Sequence, residues 1–146
     1  MGSEMCIRDR TGNWYVGINA ATLALLTGKL TESAEIAEAV AAACKQILND
    51  RKRDRFWLHA TEGEAAILLS EECSDALGFY ESALSELTPG KWGMADSAYR
   101  QLVRLWRFFG KDGDKRVAPV LELFESSDAR DALTRGLLGR EWKEED

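Results

Sequence analysis

Proline is nearly missing from this chain, with two residues in 146, Pro89 and Pro119. A proline inside a helix removes a hydrogen bond and costs about 3 kcal/mol, so its scarcity leaves long stretches open to helix. Histidine occurs once, at His59. A His-based metal site or a His-centred catalytic triad would therefore need unusual partners. Three cysteines, Cys6, Cys44 and Cys73, are odd in number and scattered; such a set reads as reduced thiols, not as a disulfide framework or a zinc site. Basic residues are outnumbered, 19 against 25 acidic, and the net charge of -6 argues against general nucleic-acid or anionic-membrane binding. No apolar run approaches the ~20 residues that cross a bilayer. No signal-peptide apolar segment opens the chain either, so a cytoplasmic location is expected. Strand-like alternation is also wanting throughout.

What remains is alanine, leucine and glutamate at helical period, with 45% hydrophobic residues, enough for the core of one domain. The first ten residues, "MGSEMCIRDR", stand apart. They carry no periodic pattern, and "MCIRDR" matches translated sequencing-adapter sequence of the kind met at the ends of chains assembled from environmental DNA. Residues 1–10 are accordingly set aside as artefact or disordered, and the chain is expected to be a piece of a longer one. Residues 11–126 form the helical-repeat domain, and residues 127–146 a short helix with an acidic tail.

The periodicity predicts a first helix from Tyr15 to Thr27, stopped at Gly28, a residue that tolerates positive φ. A second helix, capped by Thr31 or Ser33, carries the core stripe Ile36, Val40, Cys44 and Ile47. The charged segment "RKRDR" at 51–55 reads as a solvated connection. A third helix over 54–69 turns Phe56, Ala60, Ile67 and Leu68 inward. Ser70 is expected to cap a fourth helix with the stripe Ala76, Leu77, Tyr80, Ala83, Leu84 and Leu87. "TPGKWG" at 88–93 ends it. A fifth helix buries Tyr99, Leu102, Trp106 and Phe109. "GKDGDK" at 110–115 reads as a loop, before a sixth helix with Val120, Leu121 and Phe124.

Two segments, "TLALLTGKLTESAEIAEAV" and "AAILLSEECSDALGFYESAL", share one plan: an apolar helix, a short turn, then an alanine-rich amphipathic helix. Their spacing of about 43 residues falls in the range of two-helix solenoid units. The fold class is all-α, a tetratricopeptide-like α-solenoid of antiparallel helix pairs. In such an array Gly17, Ala20, Ala21 and Ala24 let neighbouring helices approach closely. Trp14 and Tyr15 cover the helix end. Asn19 is expected to be buried and hydrogen-bonded to a neighbouring turn, since a stranded amide costs roughly 1–3 kcal/mol.

The runs "YVGINAATLALLTGK", "FWLHATEGEAAILLSEECSDALGFYESAL" and "KWGMADSAYRQLVRLW", in that order, resemble the TRAFs-binding domain family. This family comprises the tetratricopeptide-like central region of apoptosis-signal-regulating kinases and related bacterial modules. The similarity extends from Trp14 to Phe109; Glu71 and Glu72 stand where the family has a glycine–aspartate turn. The resemblance implies an interaction scaffold, usually one module of a longer signalling or defence protein.

Site chemistry is sparse. His59 reads as a packing or surface histidine. Cys44 lies on a core stripe, and the acidic neighbours of Cys73 oppose a reactive thiolate. Glu62 and Glu64, two residues apart on a helix, point to different faces, and Glu64 reads as a buried polar contact between repeats. "GKDGDK" lacks the spacing of a phosphate-cradling P-loop. Arg100, Arg104 and Arg107 share one helix face, a wet face or a docking surface for an acidic partner segment. Neither a catalytic constellation nor a cofactor or metal site is expected. The expected function is a non-enzymatic protein–protein interaction scaffold, binding a protein partner or an adjacent domain of its own chain. The alternative is a regulatory module binding an anionic ligand or nucleotide at the arginine face.

Overall fold

Helices account for all the regular structure among the residues described by a computed structural model, namely 14–50, 52–87 and 92–126. They are α1 (Trp14–Leu26), α2 (Leu30–Asp50), α3 (Arg55–Leu69), α4 (Ser74–Ser85), α5 (Trp92–Phe109), a 3-10 turn (Gly110–Asp112), α6 (Gly113–Arg116) and α7 (Ala118–Glu125). The expectations for residues 1–13 and 127–146, for the turn at 88–91 and for the side chains of Trp14 and Tyr15 lie outside the described residues. No helix among the described residues is long and apolar enough to cross a membrane.

Gly28 stops α1 at φ 85°, where its N–H reaches Leu25 and the Lys29 N–H reaches back to Ala24 at 2.8 Å. This paired closure satisfies the last carbonyls of α1 and delivers the chain straight into α2. The expected caps Thr31 and Ser33 therefore lie inside α2: the helix opens at Leu30, with the Ser33 N–H bonded to the Lys29 carbonyl. Ser70 likewise does not cap α4. It closes α3, and its hydroxyl accepts from the Glu72 N–H at 3.3 Å, while Cys73 stands at the start of α4.

Neighbouring helices pack in succession, α1 on α2, α2 on α3 and α3 on α4, and α1 also reaches α3. Gly17 is the point of closest approach between α1 and α2, since a Cβ there would sit 2.6 Å from Val40 Cγ2. Gly63 plays the same part between α3 and α4, where an added Cβ would overlap the Tyr80 ring. The core joins Ile18, Ala21 and Leu25 of α1, Ile36, Val40 and Cys44 of α2, Phe56, Leu58 and Ile67 of α3, and Tyr80 of α4. α5 packs on α3 and α7, and α7 also packs on α4, with Phe124 edge-on to Tyr80 at 5.7 Å.

Two expectations near the end of α5 are corrected. Trp106 is not buried but 37% exposed, its indole N–H donating to Asp114 Oδ1 at 3.3 Å. The stretch 110–115 is not a plain loop but the 3-10 turn followed by α6. It is held wound from the side: Arg116 donates to the Ile67 carbonyl at 2.6 Å and stacks over the Phe109 ring at 3.9 Å, while Val117 is fully buried.

Candidate functional site

Glu64 faces away from solvent in the middle of α3, 7% exposed, where a charged group is stable only with partners. Thr22 of α1 donates its hydroxyl to Glu64 Oε2 at 2.6 Å, and Gln101 of α5 donates its side-chain N–H to the same oxygen at 3.0 Å. One carboxylate thereby ties three helices. Burial pushes the Glu64 carboxyl above its ordinary range, against the pull of these two hydrogen bonds and of the Arg104 charge.

Beside this junction opens a cavity of about 480 Å³, within the size range of ligand pockets. Ile18 and Asn19 line it from α1; Trp57, Ala60, Thr61 and Glu64 from α3; Tyr80 from α4; Ser97, Ala98 and Gln101 from α5. Asp54 stands at its edge, at the start of α3 with a left-handed backbone, φ 60°, a conformation aspartate tolerates better than most residues. Trp57 is half-buried with its ring edge-on to Phe56 at 5.1 Å. Tyr80 is 2% exposed, and burial together with the nearby Glu64 charge raises its phenol well above the ordinary value.

Asn19 is not buried. It is exposed and contributes to the cavity wall from α1. The face of α1 that packs on α2 is the one through Gly17, Ala21 and Ala24, which turns position 19 outward. Glu62 and Glu64, both buried, look opposite ways: Glu62 Oε1 lies 3.4 Å from His59 Nδ1, whereas Glu64 meets α1 and α5. Arg100 pairs with Asp96 at 3.0 Å, Arg104 donates to Gln101 Oε1 at 3.1 Å, and Arg107 is exposed. Through Gln101, Arg104 reaches the cavity wall. Among the described residues, no group of three or more histidine, cysteine, aspartate or glutamate side chains is placed to hold a metal ion.

Thr22, Trp57 and Gln101 escape a reading by periodicity, which treats Thr22 as one more small residue of an apolar helix and Gln101 as surface. Their signal is weak but present, because Thr22 and Gln101 are polar residues one position from core residues of their helices. Compared with known protein families, curated proteins and solved structures, the chain matches none.

Proposed function

We infer that this protein is a non-enzymatic interaction module, a tetratricopeptide-like array of antiparallel helix pairs that docks a polypeptide in the cavity bounded by α1, α3 and α5. The observation that carries the reading is the Glu64 junction. It fixes the three helices around an opening lined by hydrogen-bonding and aromatic groups, the composition of a recognition surface. The Thr61 and Ser97 hydroxyls share the cavity wall with acids and amides, and no histidine stands among the described lining residues to activate them, which suits binding better than nucleophilic chemistry. The resemblance of the sequence supports this role, as one module of a longer signalling or defence protein. An anionic ligand on the arginine face has less support, since Arg100 and Arg104 are already engaged by Asp96 and Gln101.

A displayed random-peptide library selected on the immobilised protein tests the reading. Enriched peptides should lose binding to a Ser97→Trp variant, whose indole fills the cavity from α5, and keep it when Glu38 on the outer face of α2 is changed to Gln. Peptides indifferent to Ser97→Trp would put docking elsewhere.

A further inference from the structure

We propose that the cavity takes an arginine side chain from an extended segment of the partner, its guanidinium received by Glu64 and stacked on Trp57. This rests on the docking reading above and adds the chemistry of what docks. Charge complementarity comes first: the buried Glu64 carboxyl lines the cavity, and no basic side chain appears among its described lining residues. The second observation is atomic. Both donors to Glu64 converge on Oε2, and no donor among the described residues reaches Oε1, although the side chain is more than nine-tenths buried. A carboxylate oxygen so placed gains most from a charged donor.

The walls fit the same ligand. Trp57 and Tyr80 present aromatic surface within the cavity, and a guanidinium plane stacks on such rings better than an ammonium does. Its five N–H donors exceed what one oxygen can accept, and the Thr61 and Ser97 hydroxyls supply further acceptors in the cavity wall. A volume of about 480 Å³ leaves room for the backbone that carries the side chain. Arg104 bounds the site: its charge already acts on Glu64 from an exposed position, so it partly offsets the attraction the cavity offers.

The test is an NMR titration of the full chain with a blocked pentapeptide of alanine carrying one central arginine, and with its glutamine counterpart. The arginine peptide should give saturable shifts of the Trp57 indole and Gln101 amide signals; the glutamine peptide should not. Glu64→Gln should weaken binding about tenfold or more, the usual cost of losing a charged hydrogen-bond partner. Arg104→Gln should tighten it, an outcome a purely structural role for Glu64 does not produce. Should Glu64→Gln fail to fold, Ser97→Trp serves as the blocking variant. Equal shifts from both peptides, or an arginine affinity untouched by Glu64→Gln or by Ser97→Trp, would overturn the proposal. Library peptides that depend on Ser97 yet carry no common basic position would overturn it too, while leaving the docking reading standing.

Discussion

Glu62 and His59 face one another across 3.4 Å, and both are displaced from their ordinary proton affinities. Burial raises the Glu62 carboxyl to about 7, with Lys45 pulling the other way. Burial and the Arg55 charge hold His59 below its ordinary value of 6.5, against Glu86. A protonated Glu62 can donate to His59 Nδ1, a buried atom that otherwise has no hydrogen-bond partner. Because the folded state holds the Glu62 proton more tightly than the unfolded chain, with its value near 4.5, this contribution to stability is full below that pH. It is lost as pH climbs through about 7. His59 acts in the opposite sense, costing stability as pH falls below 6.5. Glu62→Gln removes only the first effect. Urea midpoints should therefore show the variant gaining on the wild type between pH 5 and pH 8; a constant difference would mean that Glu62 titrates as an exposed carboxylate. At this scale Glu64 was legible in the sequence because a charge inside "EAAILL" has few places to go but a buried partner. Asn19 departs from its expectation because composition says that α1 is buried on most sides, while only helix packing decides which position turns out.

The elements themselves were readable wherever alanine and leucine recur at helical spacing, as in α2 and α3, whose core stripes stand where periodicity puts them. The helix starts were not. The stop at Gly28 was readable from glycine's freedom at positive φ, but Thr31, Ser33 and Ser70 have capping chemistry that goes unused, because the Gly28 closure runs straight into α2 and α4 starts at Cys73. The segment 110–115 winds into helix because Arg116 and Val117 are anchored from α3 and α5, a tertiary cause invisible locally. α5 shows how unequal three similar residues become once placed. Arg107 is exposed, so Arg107→Glu should change the unfolding free energy by no more than roughly 0.5 kcal/mol; Arg100→Glu, which breaks the Asp96 pair, should cost somewhat more. Arg104→Glu sets a second negative charge beside the buried Glu64 carboxylate and should cost clearly more. The helical circular-dichroism spectrum should survive all three. Equal midpoints for the three variants would show that Arg104 does not act on Glu64.

Across the whole molecule, α1 to α4 pack in series, while α5 is attached through α3 and through α7. Phe124 is the clasp, touching Tyr80 of α4 at 5.7 Å and Tyr99 of α5 at 6.1 Å between ring centroids. Phe124→Ala should cost about 3–5 kcal/mol, the usual range for emptying such a site. The loss should be uneven, with amide exchange in α5 accelerating well beyond that in α1 to α3; uniform acceleration would show one indivisible cooperative unit. The Glu64 junction has a consequence in time as well. Its bonds join residues 42 and 37 positions apart in the chain, whereas the helix pairs around it are formed mostly between neighbours. Closing the longer loops carries an added entropic cost before any bond repays it, so the local pairs can assemble first and the junction close after the folding barrier is crossed. A bond made that late governs how long the native state lasts, not how quickly it is reached. Thr22→Val should thus steepen the loss of folded protein in stopped-flow unfolding while leaving the refolding rate where it was, and a slowed refolding limb would place the junction in the nucleus instead.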